Sequence, residues 1–293
     1  MDPAPRLSTG VEGLDKLLGG GLVPCTLAVV VGASGAGKTQ FGLHFACQGQ
    51  QQEGRPGVVF DTSARIDSQG HAHYAQHVFG WTLANHPRDR FSAERFFDAA
   101  RRCGDYWRVF ERQGHRVSQH EVGFDAWHDW QAELAAQLEL TIDFFYSNFV
   151  RGTRRVVIDG IEPVERPSES IQFELFEYIY HQILRKDSEW VARDLFRQSY
   201  RAHAHAIERH AYDCRQIGAM LLSTSHETML DALIERPLVD GDVTATANTL
   251  IYMGKWRDGN KLTRGLFIAK HRGSACSDEI IRYTIGESGI QLA

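Results

Sequence analysis

The sequence predicts an α/β fold, a mainly parallel twisted sheet flanked by helices, on three observations. Short, largely apolar runs recur along the chain, stretches of helical periodicity separate them, and a glycine-rich loop joins the first run to the first helix. Strands of a parallel sheet are covered on both faces, so they read as continuous Val/Ile/Leu runs and not as alternation. Residues 26–31, Thr-Leu-Ala-Val-Val-Val, form the first such run. Runs at 58–60, 156–158, 219–222, 249–253, 266–270 and 280–285 continue the series. Residues 38–52 place Phe41, Leu43, Phe45 and Ala46 at near-helical spacing, which predicts the helix after the loop.

The 293 residues are 43% hydrophobic and 24% charged, enough apolar material for one large domain over 1–293. Two long helical insertions, at about 66–125 and 168–216, exceed what such a core requires. The first is rich in histidine and aromatics and leads into an amphipathic helix at 126–149. The second contains no proline and carries Ile171, Leu175, Ile179 and Ile183 at i+4. One unbroken helix of that length would span ~70 Å at ~1.5 Å per residue, so a break is expected at Asp187-Ser188, either of which can cap a new helix. These helices either pack on the core or project as an arm that docks a partner protein.

Net charge is −5, and no lysine/arginine run marks a nucleic-acid footprint, which argues against DNA binding. Cys25, Cys47, Cys103, Cys214 and Cys276 are scattered without a C-x-x-C pair, as expected in a reducing compartment. No apolar run follows a positive start, and no stretch approaches the ~20 apolar residues of a membrane helix, so a cytoplasmic protein is expected.

Residues 32–39, Gly-Ala-Ser-Gly-Ala-Gly-Lys-Thr, fit the phosphate-binding pattern G-x-x-x-x-G-K-[ST] in its strand–loop–helix setting. Glycines let the backbone wrap phosphate oxygens, and the following helix aims its positive end at them. The expected nucleotide-binding set is Gly32, Ala33, Ser34, Gly35, Ala36, Gly37, Lys38, Thr39 and Gln40, with ATP as the ligand. Lys38 places a cation at the β/γ-phosphates, and Thr39 offers a hydroxyl to Mg²⁺. The strand 156–158 ends in Asp159, which delivers a carboxylate to the same ion.

Residues 7–22, Leu-Ser-Thr-Gly-Val-Glu-Gly-Leu-Asp-Lys-Leu-Leu-Gly-Gly-Gly-Leu, resemble the segment before the loop in KaiC-like ATPases of the RecA superfamily. Lys270-His271-Arg272-Gly273 is similar to that family's K-x-R-G motif, and Tyr283-Thr284-Ile285 and Gly289-Ile290-Gln291-Leu292 resemble its last strands. The resemblance covers about 1–66, 126–164 and 217–293. It implies a RecA-like P-loop NTPase core and a homo-oligomer, with a hexamer favoured. It also implies that Lys270 and Arg272 reach the γ-phosphate bound by a neighbouring subunit; strand alternation would put the two on one face.

The family carries a water-polarising glutamate after the second strand, where this chain reads Asp61-Thr62-Ser63. A serine hydroxyl is a poor base, and losing a general base typically costs ~10²–10⁴-fold in rate. Glu162 and Asp61 are the carboxylates that can compensate, and Glu162 joins Lys38, Lys270 and Arg272 as a candidate catalytic residue. Three readings follow: an ATPase that drives a conformational or assembly switch, a nucleotide-binding regulator or scaffold with degenerate catalysis, and a recombinase-like DNA binder. His226, past the fourth strand, is a candidate phosphate sensor or an ordinary strand-end group. His71, His73 and His77 lack the further ligands that a zinc site needs.

Overall fold

The computed structural model describes residues 5–63, 70–110, 124–163, 170–237 and 243–293, with the backbone alone for 124–136. Among these, the strands are β1 (Leu27–Gly32), β2 (Val58–Asp61), β3 (Tyr106–Arg108), β4 (Arg155–Ile161), β5 (Gly218–Thr224), β6 (Thr249–Asp258), β7 (Lys261–His271), β8 (Ile281–Gly286) and β9 (Gly289–Leu292). They form one nine-stranded sheet in the order β3-β2-β4-β5-β1-β6-β7-β8-β9. Pairing is parallel from β3 through β6 and antiparallel from β6 to β9. This is the RecA-like arrangement that the sequence predicts, a large, mainly parallel sheet flanked by helices.

The helices are α1 (Leu14–Leu17), α2 (Lys38–Gln52), α3 (Gly70–Phe79), α4 (Phe124–Phe149), α5 (Ile171–Ile179), α6 (Ser188–Phe196), α7 (Tyr200–Arg209), α8 (Leu230–Glu235) and α9 (Val243–Thr246). No helix among the described residues is long and apolar enough to cross a membrane. Two apolar layers sandwich the sheet. In β1, Leu27, Val29 and Val31 face one layer with the side chains of α4, α5 and α6. Ala28 and Val30 face the other, with α2 and the N-terminal segment. All six β1 residues are buried, which is why the strand reads as an unbroken apolar run.

The second addition packs on the core and does not project. Ile171, Leu175, Ile179 and Ile183 are all buried in the α4 layer. The expected break occurs where α6 begins at Ser188, with Asp187 extended at its N-cap. A second break, unforeseen in the sequence, falls at Arg197, whose φ of 46° takes the chain out of α6 before α7 starts. In the first addition the sequence predicts helix; α3 is helical, but residues 80–105 are non-helical and lead into β3, a three-residue edge strand paired with β2. Two stretches of that addition, 66–69 and 111–123, lie outside the described residues.

Arg155 is fully buried at the start of β4 and ties the core to the N-terminal segment. Its guanidinium donates to Glu53 Oε2 at 2.8 Å, Ser8 O at 2.6 Å and Phe45 O at 2.8 Å. A buried charge is tolerated when it is paired and hydrogen-bonded in this way.

Candidate functional site

The loop after β1 turns through Gly37, whose φ is 103°. That positive φ calls for glycine, and a Cβ there would also press on Ile285 Cδ1 at 2.6 Å. Lys38 then opens α2. The helix N-terminus and Ser34, Gly35, Gly37, Lys38, Thr39 and Gln40 line an open cleft of about 280 Å³. Gly32, Ala33 and Ala36 form the base of the loop, where both alanines are buried. Lys38 Nζ donates to Gly32 O and Ala33 O, each at 2.9 Å. Burial lowers its pKa to about 8, against the opposing pull of the Asp159 carboxylate.

Asp159 sits at a register shift in β4. Gly160, with φ 97°, makes the bend possible, because a Cβ there would be 2.4 Å from Ser63 N. Asp159 Oδ2 accepts from Thr39 Oγ1 at 2.7 Å and lies 2.8 Å from His71 Nε2, and Oδ1 accepts from Gly160 N at 2.7 Å. Burial alone would raise its pKa. The hydrogen bond and charge of His71, the Thr39 hydroxyl and the Lys38 ammonium together hold it below the usual carboxylate range. Mg²⁺ prefers hard oxygen donors, typically one or two carboxylates with phosphates and waters. The Thr39 hydroxyl and Asp159 carboxylate, side by side beneath the loop, are a donor set of that kind.

The tip of β2 lies next to this pair. Asp61 accepts from Tyr106 OH at 2.6 Å and from Ser63 N at 2.8 Å, and Ser63 Oγ also donates to it. Arg108 Nε lies 3.9 Å away. Ser63 thus spends its proton on Asp61, and Asp61 already serves Tyr106 and Ser63. Glu162 lines the cleft itself. Its main chain is held by Gln172, whose Oε1 accepts from Glu162 N at 2.9 Å. Gln172 Nε2 donates to Thr62 O and Gly160 O at 2.7 and 2.8 Å, which staples the tips of β2 and β4 together. Sequence reasoning missed Gln172 and the pairing of His71 with Asp159. Both contacts come from residues of the additions, and no motif spacing announces them.

Lys270 and Arg272 do not line this chain's cleft. Lys270 Nζ donates to Thr244 O and Ala245 O at 3.0 and 2.9 Å. β7 ends at His271, which is buried between half-buried Lys270 and exposed Arg272, and Arg272 N donates to Asn248 O at 3.0 Å. Thr224, at the end of β5, lines the cleft, whereas His226 is exposed and outside it. The rings of His73 and His77 stack at 5.9 Å on α3. Among the described residues, no group of three or more His, Cys, Asp or Glu could hold a metal ion.

Comparison with known proteins places the resemblance at this end of the chain. Residues 7–91 match the family model described as the KaiC ATPase. Over 80 residues, 27% of this chain, the sequence is 36% identical to the circadian clock protein KaiC2 of Synechocystis. Over 80 residues it is also 40% identical to the circadian clock oscillator protein KaiC of Prochlorococcus marinus. These matches span 13% and 15% of the respective relatives.

Proposed function

We propose that this chain, a KaiC-like P-loop protein of the RecA superfamily, binds ATP with Mg²⁺ and hydrolyses it slowly in an assembly or conformational cycle. The observation that carries the reading is the convergence of Lys38, Thr39 and Asp159 in one cleft at the N-terminus of α2. In binding, Lys38 exchanges the carbonyls of Gly32 and Ala33 for phosphate oxygens, and the loop N–H groups and helix dipole meet the remaining negative charge. Thr39 and Asp159 hold Mg²⁺, which neutralises charge on the phosphates. Glu162 orients the attacking water, because Ser63 and Asp61 are engaged with each other. Calorimetry on Lys38→Ala should show nucleotide affinity lost by at least ~100-fold, with an unchanged circular dichroism spectrum. Wild-type affinity in that folded variant would overturn the reading.

Lys270 and Arg272 act, in this proposal, on the nucleotide of a neighbouring copy. Their position outside this chain's own cleft supports that role. ATP then stabilises a homo-oligomer, a hexamer by the resemblance, through mass action. Sedimentation should show ATP-dependent assembly that Arg272→Ala weakens. A monomer at micromolar concentration, with and without ATP, would exclude action between copies.

A further inference from the structure

A second cleft of about 510 Å³ opens on the other side of His71, at the C-terminal ends of β2 and β3. His71, Asn85, Arg88, Tyr106, Trp107 and Arg108 line it. The proposed function uses none of this surface, although His71 also lines the nucleotide cleft and Tyr106 touches it through Asp61. His71 turns Nε2 to Asp159, and Tyr106 turns its hydroxyl to Asp61. In parallel α/β sheets, ligands gather at the carboxyl ends of the strands, and this cleft lies there.

Its chemistry is dominated by donors. Arg88 lies over the Trp107 ring, 5.1 Å from the centroid, and donates from Nη2 to Arg108 O at 3.3 Å. That geometry holds one guanidinium beside the strand that carries the other. Guanidinium groups present planar forks of N–H donors that match the two oxygens of a carboxylate or the oxygens of a phosphate. Among the described residues the Trp107 indole N–H is buried and meets no acceptor.

We propose that this cleft is a second ligand site, for a small molecule bearing a phosphate or carboxylate group. The group sits between Arg88 and Arg108. The site does not depend on the nucleotide reading, so the test uses full-length protein with the P-loop disabled. Pyrophosphate and citrate, as the phosphate and carboxylate probes, are titrated by calorimetry into Lys38→Ala. One equivalent of at least one probe should bind, and the probe that does so identifies the group preferred. Adding Arg88→Glu, at an exposed side chain, or Arg108→Gln should weaken that binding at least tenfold without altering the circular dichroism spectrum. No binding of either probe to Lys38→Ala, or binding that neither arginine variant changes, would overturn the proposal.

Discussion

The tips of β2 and β4 lie side by side, with Asp61 opposite Asp159 in register, and they differ in what surrounds each carboxylate. Asp159 meets Thr39, His71 and the charge of Lys38, all at the phosphate loop. Asp61 meets Tyr106, Ser63 and, more distantly, Arg108, which are groups of the sheet edge. The first arrangement leaves a carboxylate and a hydroxyl placed for a cation. The second ties a carboxylate that also lines the cleft to the edge strand. Two aspartates at equivalent strand ends therefore have different surroundings, and position in the sheet alone does not set them. In the proposed function the water-orienting carboxylate is Glu162, on the rim of the same cleft.

The largest expected effect tests that last step. Glu162→Gln should slow single-turnover hydrolysis by about 10²–10⁴-fold, the usual cost of losing a general base, while ATP affinity stays within a few-fold. Ser63→Glu should change the rate little, because its neighbour Asp61 would repel a second carboxylate at that point. A rate that rises sharply in Ser63→Glu would assign the base position to the tip of β2. Brisk turnover in Glu162→Gln would remove Glu162 from the chemistry.

How far these roles are legible in the sequence depends on the range of the interaction that sets them. The P-loop is local: glycine spacing, Lys38 and Thr39 act within eight residues, and the strand before them is a continuous apolar run. Strands β1, β2, β4, β5 and the first half of β6 are readable for the same reason, since double-faced burial writes itself into composition. Edge strand β3 is not. Only Trp107 of its three residues is buried, and Tyr106 and Arg108 look like loop residues until β2 is beside them. The break at Arg197 is equally silent, because neither glycine nor proline marks it. The partners of the carboxylates are the hardest to read. His71 reaches Asp159 across 88 residues and Tyr106 reaches Asp61 across 45, and no periodicity encodes either contact.

A smaller effect separates the two aspartates directly. Asp61→Asn should leave ATP affinity nearly unchanged but lower stability by about 1–3 kcal/mol, because the amide nitrogen would replace the oxygen that accepts from either Ser63 N or Tyr106 OH. Asp159→Asn should lower the melting temperature too, since its carboxylate meets Thr39, His71 and Gly160 N. ATP should bind in EDTA as before, but the gain in affinity on adding Mg²⁺ should largely vanish. Thermal melts and calorimetry on the pair check both. Nucleotide binding lost in Asp61→Asn with an unchanged melt would collapse the distinction between the two strand tips.

The smallest expected effect is a pH dependence of stability that arises away from both tips. His44 on α2 is buried between the N-terminal segment and the last strand. Its Nδ1 lies 3.1 Å from Gly10 O, and its Nε2 accepts from Ile290 N at 2.9 Å. A neutral ring with the proton on Nδ1 satisfies both contacts, whereas a protonated ring sets one N–H against another. Burial lowers its pKa, with the Gly10 carbonyl pulling the other way. His271 follows the same logic: burial and then the nearby Arg6 charge push its pKa down. In the unfolded chain both return to about 6.5, so below that pH the unfolded state binds more protons. Stability is therefore whole above pH ~6.5 and declines as pH falls from there toward the folded pKa values. Melting temperature should drop by a few degrees between about pH 7 and 5.5, before the depressed carboxylates begin to protonate. His44→Leu should melt lower at every pH, yet lose less of its stability across that window. Equal slopes in wild type, His44→Leu and His271→Leu would mean that neither ring is held neutral, and that the joint between α2 and the last strand tolerates a charge.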